Sequence, residues 1–326
     1  MRYSYEQIRL KWDAEFADRP FNMWRYRELL PLRDLSHRVT MGEGGTPLYQ
    51  AINVGMMLGL RHLYVKDERQ GPTGSFKDRQ ASLAISVMRE MGITEAVLAS
   101  TGNVAISYSA YSTHAGIKLW AFLPSSVPAE KMREIALYGT EVIKVTGTYD
   151  QAKQVARDFA TRKGLYYDRG FKSIAARESM KTLGFEVAEQ LTQFLGPSDA
   201  PLRVPDWYLQ AVSGGMGPVG VWKAFEEMKN MGLVDRLPKL AHVQVAGCAP
   251  MVNSFEAGLE VAEPVLEPRT RISTISTGDP GAAYPFLRQI ALQQRGAFVK
   301  VEDREAFRAM HVLAKMDGIS MEPAAA

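Results

Sequence analysis

Lys77 stands in the turn Gly71-Pro72-Thr73-Gly74-Ser75-Phe76-Lys77-Asp78, just after a short apolar run that ends at Asp67. Pro72 and Gly74 favour a turn and Ser75 suits a helix N-cap, so Lys77 falls in the first turn of the helix that follows. A cation is disfavoured at the positive end of a helix dipole. That position favours the neutral amine, the form that attacks a carbonyl to make a Schiff base. Lys77, Asp78 and Arg79 equally fit a solvated charged turn. A nucleotide phosphate loop fits less well, because the lysine does not directly follow Gly74.

Two further turns have chemical potential. Ser100-Thr101-Gly102-Asn103 closes one apolar run and opens a helix, and its small hydroxyls and backbone N–H groups suit a carboxylate or serve simply as a cap. Ser213-Gly214-Gly215-Met216-Gly217 lies between an apolar run and another helix. There the glycines let backbone close on a phosphate at a helix N-terminus, or make a tight turn. The same loop matches a dinucleotide fingerprint, Gly215-x-Gly217-x-x-Gly220, so a nicotinamide dehydrogenase competes. That reading needs an acidic residue after the next strand, where the chain has Gly247, Cys248 and Ala249.

These turns need a scaffold of alternating strands and helices. Short runs rich in Val, Ile, Leu and Tyr predict strands at 63–67, 96–99, 118–123, 141–145, 166–168, 207–212, 242–246 and 298–301. Amphipathic stretches predict helices at 75–91, 104–115, 129–138, 149–162, 177–195, 218–231 and 304–316, several stopped by glycines such as Gly92, Gly116, Gly139 and Gly164. The alternation predicts an α/β protein with parallel sheet. Residues 83–177 are expected to form a small sheet domain inserted in a larger one made of 1–82 and 178–326. The stretch 196–205 reads as a surface loop.

Composition narrows the function classes. The 326 residues are 46% hydrophobic and 23% charged, with 27 Gly and 17 Pro, which suits a globular enzyme and not a disordered chain. A net charge of +3 from 39 basic and 36 acidic residues predicts no basic face and no nucleic-acid partner. One cysteine, Cys248, excludes an internal disulfide framework and points to the cytoplasm. No membrane partner is expected, since no apolar run approaches spanning length. The five histidines lack the spacing of a helical metal site, so no metal is expected.

Taken in order, the motifs resemble fold-type II pyridoxal-phosphate enzymes, the tryptophan synthase beta-like family, and within them the threonine synthases. The likeness runs from Trp24-Arg25-Tyr26-Arg27 through Gly42-Glu43-Gly44-Gly45-Thr46-Pro47-Leu48, Lys66-Asp67-Glu68 and the Lys77 turn. It continues through Ser100-Thr101-Gly102-Asn103, the glycine loop and Gly278-Asp279-Pro280 to Glu322-Pro323-Ala324. It implies two three-layer αβα domains on parallel sheets, the small one inserted in the large, and pyridoxal 5'-phosphate as cofactor. Lys77 would form the Schiff base, Asn103 would lie near the cofactor's phenolic oxygen, and Ser213, Gly214, Gly215, Met216 and Gly217 would hold its phosphate. Ser100, Thr101 and Gly102 would face the substrate carboxylate. The implied reaction converts O-phosphohomoserine and water to threonine and phosphate, in a homo-oligomer, a dimer by analogy, acting on a small amino-acid substrate.

The sequence departs from that pattern at three places. Val104 stands where the family usually has Thr. The segment 169–177 lacks the family's Asn-Ser and Arg, so Lys172, Ser173 and Arg177 are the candidates for the substrate phosphate. The chain also stops at Ala326, before the segment that supplies a hydroxyl to the pyridine nitrogen, which leads us to expect a C-terminal truncation. Other readings left open are another β-elimination or β-replacement enzyme, such as a cysteate synthase or a threonine or serine ammonia-lyase, and a non-catalytic metabolite-binding protein.

Overall fold

The computed structural model describes residues 3–100, 102–196 and 199–326. The chain forms two compact units, one of Met1–Gly45 with Gly71–Thr182 and the other of Thr46–Gln70 with Leu183–Ala326. That line differs from the expected division into 83–177 and the remainder. Residues 1–45 and 71–82 fold with the small sheet, because Met23, Trp24, Leu30, Val39, Ala81 and Leu83 contribute to its core.

Among the described residues the first unit has a parallel sheet in the order Glu141–Val145, Lys118–Pro124, Glu95–Ala99, Tyr166–Tyr167. Alternation along the strands sends side chains to opposite faces. Ala96, Leu98, Leu119, Ala121 and Leu123 join one core cluster with the helices Lys77–Glu90, Asn103–Ala115 and Ala129–Leu137. Val97 and Phe122 face the other way, onto Ala156 and Ala160 of the helix Tyr149–Lys163. A parallel sheet covered on both faces needs apolar residues in both registers, as these strands have.

The helices Lys77–Glu90 and Asn103–Ala115 pack along one another. Their buried sides carry small residues, among them Ala81, Ser82, Ala84, Ser86, Ala105, Ser107 and Ser109. The buried hydroxyls find partners: Ser82 donates to the Val39 carbonyl at 2.7 Å, and Ser109 pairs with Thr140 at 2.7 Å, so the close packing leaves these polar groups satisfied. The Gly42–Gly45 motif is explained here too. Glu43 is buried and accepts from Trp24 Nε1 at 2.8 Å and from the Tyr111 hydroxyl at 2.6 Å. A Cβ on Gly45 would overlap the Phe21 carbonyl oxygen.

The second unit has a parallel sheet in the order Trp207–Ala211, Lys239–Val245, Ala297–Val301, with the helices Met216–Asn230 and Ala283–Gln294 packed beside it. The predicted strand at 63–67 is Tyr64–Lys66, and it does not join that sheet. It pairs antiparallel with Leu48–Gln50. Lys66 ties this pair to the helix Lys181–Leu195, donating to Glu186 at 2.7 Å, Gln190 at 2.8 Å and the Thr46 carbonyl at 2.6 Å. Asp317, closing the helix Asp303–Asp317, accepts the N–H groups of Asn53 and Val54 at 2.9 Å each and so caps the helix Ile52–Leu58.

Two predicted helix limits are corrected. The stretch 177–195 is not one helix: Ile174–Ser179 and Lys181–Leu195 are separate. At that break Ser179 and Thr182 hydroxyls bond back to the Ala176 and Ser179 carbonyls, competing with the helical ladder. The other correction is at Ser75. The helix begins at Lys77 with Phe76 in the cap position, and the Ser75 hydroxyl lies 3.4 Å from the Lys77 N–H.

Candidate active site

In the first unit the Lys77 turn is built as a rigid loop. Asp78 is buried and accepts from the Thr73 N–H at 2.9 Å and from the Thr73 hydroxyl. The Thr73 hydroxyl also pairs with Ser107 at 2.8 Å, which fastens the turn to the helix that Asn103 opens. Burial pushes the Asp78 carboxyl above its usual range, and the hydrogen bonds from Thr73 and Ser107 offset part of that. Gly71 lies so close that a Cβ there would stand 2.6 Å from Asp78 Oδ2.

Lys77 is thereby held as the first residue of its helix. Its Nζ sits 4.1 Å from the Phe76 ring centroid and, among the described residues, makes no ion pair. Although the residue as a whole is only half-buried, its amine is desolvated, and burial lowers its pKa from 10.5 to about 8. Desolvation therefore carries the shift that the sequence reading ascribed to the helix end.

Ser100 and Asn103 frame the next turn. The Ser100 hydroxyl accepts from the N–H of Gly102 at 3.0 Å and of Ala105 at 3.1 Å, so it caps the Asn103 helix, and the Gly102 N–H is committed within the turn. Thr101 lies outside the described residues. Asn103 Oδ1 accepts from Lys131 Nζ at 2.7 Å, and the Lys131 stem crosses over Gly102, whose φ is +140°. Lys131 is a residue the sequence reading missed. Its signal was a cation in the first turn of the helix Ala129–Leu137, where a lysine is as oddly placed as Lys77.

The other proposed contacts in this unit lie on the segment before the helix Ile174–Ser179. Lys172 is exposed, Ser173 caps that helix by accepting from the Ala176 N–H at 3.3 Å, and the Arg177 guanidinium lies 5.3 Å from the Phe171 ring centroid. That helix packs against the Lys77 helix. Lys77 and Asn103 are thus linked through Thr73 and Ser107, whereas Lys172, Ser173 and Arg177 occupy a separate segment.

Ser213 to Gly217 belong to the second unit. Gly215 has φ +74° and precedes the helix Met216–Asn230, so N–H groups at a helix N-terminus gather on this loop, as a phosphate requires. The space where a Cβ of Gly214 would stand is open, whereas one on Gly215 would lie 2.8 Å from Leu287 Cδ1. The Ser213 hydroxyl pairs with that of Thr277, also missed in the sequence although it directly precedes Gly278-Asp279-Pro280.

The chain belongs to the pyridoxal-phosphate dependent enzyme family, whose pattern matches residues 39–326. It is 35% identical over 327 residues to a threonine synthase of Methanocaldococcus jannaschii, covering 99% of this chain and 78% of that protein. To a threonine synthase of Methanosarcina acetivorans it is 32% identical over 325 residues, covering 99% and 77%. Among solved structures, the processed form of threonine deaminase isoform 2 from Solanum lycopersicum matches with a TM-score of 0.71 at 20% identity, over 94% of this chain and 83% of that one. That last likeness is one of fold, a fold-type II α/β architecture.

Pyridoxal phosphate is therefore the cofactor, and two features of the chain suit it. One is a desolvated lysine amine with no acidic partner among the described residues, and the other is a glycine loop with open space at Gly214 before a helix N-terminus. The dinucleotide reading falls with this assignment. Among the described residues no helix is long and apolar enough to cross a membrane.

Proposed function

We propose that the chain is a lyase of the threonine synthase type, converting O-phosphohomoserine and water to threonine and phosphate in the cytoplasm. The observation that carries the reading is the Lys77 amine, held without an ion pair among the described residues at the head of its helix by a turn locked by Asp78, Thr73 and Ser107, where burial lowers its pKa to about 8. The identity to two threonine synthases along nearly all of this chain supports the substrate.

Bound pyridoxal phosphate supplies an electron sink that makes the substrate α-proton acidic. Lys77 would hold the cofactor, and its amine, whose pKa burial lowers toward neutrality, would move protons at the substrate carbons. Lys131 donates to Asn103 Oδ1 and helps position this side chain, which would lie near the cofactor's phenolic oxygen. Ser213, Gly214, Gly215, Met216 and Gly217 hold the cofactor phosphate through backbone N–H groups. Ser100, Thr101 and Gly102 shape the pocket for the substrate carboxylate, and Lys172, Ser173 and Arg177 meet the substrate phosphate with two cations and a hydroxyl. The functional form is a homodimer.

The test is to incubate the holoenzyme separately with O-phosphohomoserine, O-phosphoserine, serine and threonine. Phosphate and threonine formed together from the first support the proposal, and Lys77→Ala abolishes both. Oxo-acid and ammonia from threonine, with no phosphate released from O-phosphohomoserine, would assign an ammonia-lyase in its place.

A further inference from the structure

The helix Asp303–Asp317 turns two chemically different sides to its surroundings. Ala306 is buried and Met310, Leu313 and Met316 are half-buried, whereas Arg304, Arg308, His311 and Lys315 are exposed. The spacing of those four, at i, i+4, i+7 and i+11, puts them along one face of the helix. They run for roughly 16 Å at 1.5 Å per residue. Arg271, from the loop that follows the helix Pro250–Glu256, joins them, and together they line a recess of about 690 Å³ with Phe307 and Val312.

The expectation of no basic face is corrected here. Near-balance over the whole chain hides the local excess: Arg304, Arg308, His311 and Lys315 share one face of a single helix, and Arg271 joins them from a loop distant in sequence. Some surface cations elsewhere are paired with acids, as in Arg9 with Asp13 at 2.7 Å and Lys300 with Glu256 at 2.7 Å. Among the described residues none of the side chains of Arg271, Arg304, Arg308, His311 and Lys315 has an ion pair or hydrogen bond. The acid that lines the recess, Asp303, is already committed, accepting from the Thr270 hydroxyl at 2.6 Å and the Arg271 N–H at 2.7 Å. Those bonds pin the Arg271 loop to the helix start, and the single Asp303 charge leaves the five side chains a net basic cluster.

We infer that this recess is a binding site for a small polyanion bearing two or more phosphate groups. Guanidinium groups match phosphate oxygens in a fork, and the roughly 16 Å span accommodates more than one phosphate. Phe307 supplies an apolar floor on which a planar or aliphatic part of the ligand can rest. The site lies entirely within the second unit, and none of its residues has been given a role in the proposed reaction.

The experiment is calorimetric titration of the holoenzyme with sodium triphosphate, with orthophosphate for comparison. Saturable triphosphate binding, tighter than that of orthophosphate and weaker at higher salt, is the expected result. Arg304→Ala with Arg308→Ala lowers the affinity about tenfold or more, the loss expected for charge-assisted hydrogen bonds. Arg304→Lys with Arg308→Lys loses less. Arg271→Ala, on the loop and off the helix, weakens binding independently of any effect on helix stability. Absence of saturable binding, or binding unchanged in both the Ala pair and Arg271→Ala, overturns the inference. The second outcome would place the anion elsewhere, for example at the substrate phosphate contacts.

Discussion

The Lys77 amine offers a quantitative test, because its desolvation sets both how fast it reacts and how the protein's stability responds to pH. With a pKa of about 8 instead of 10.5, the fraction of neutral amine at pH 7 rises from roughly one in 3,000 to about one in ten, a gain of roughly 300-fold. The rate at which apoprotein captures pyridoxal phosphate, followed by visible absorbance in stopped flow, should climb about tenfold per pH unit below pH 8 and level off above it. The same shift predicts a stability change of opposite sense to an ion pair. Between pH 8 and 10.5 the unfolded chain binds the proton that the folded chain has released, so apoprotein stability rises with pH across that window. The full span amounts to about 3 kcal/mol. Lys77→Met removes this titration, making the apoprotein more stable at pH 7 and lowering the rise of stability with pH across the window relative to the parent. A capture rate that kept rising log-linearly past pH 9, or a Lys77→Met apoprotein no more stable than the parent at pH 7, would refute the reasoning.

Other perturbations follow from particular contacts. Lys66→Met leaves the buried Glu186 carboxylate without its 2.7 Å partner and should cost about 3–5 kcal/mol in chemical denaturation; a loss below about 1 kcal/mol, the range of exposed pairs, would mean the pair is solvated. Gly215→Ala meets Leu287, Ala283 and Met251 at 2.8–3.2 Å with φ at +74°, and should lower stability by about 1–3 kcal/mol, read as a fall in Tm of the apoprotein. Lys131→Met releases the Asn103 amide and should shift the visible band of the holoenzyme, while a spectrum identical to the parent's would remove Lys131 from the positioning scheme. His242 is fully buried with neither ring nitrogen hydrogen-bonded among the described residues, and burial lowers its pKa to about 3. Its stability contribution is present above pH 6.5 and lost as pH falls toward 3, so His242→Leu should resist acid unfolding better than the parent in pH-dependent urea melts.

The α/β alternation and most strand positions were legible because both faces of a parallel sheet must be apolar, and a continuous apolar run is visible without knowing its neighbours. The strand Glu141–Val145 has its predicted limits. The helices Pro250–Glu256 and Ala283–Gln294 were not legible, since their buried residues answer to partners distant in sequence. The strand Leu48–Gln50 is too short for a periodicity, and it exists because Tyr64–Lys66 pairs with it.

Residue type and order alone determined that a lysine in a turn, a serine–threonine–glycine–asparagine turn and a glycine loop occur in a sequence typical of pyridoxal-phosphate enzymes. Local chemistry of that kind is written in consecutive residues. Only the tertiary structure decided that Lys77 loses its water, that Lys131 orients Asn103, that Thr277 meets Ser213, and that Arg271 joins the cations of one helix at a recess. Desolvation and through-space pairing depend on distances between residues far apart in the chain, which no local pattern specifies until the helices pack.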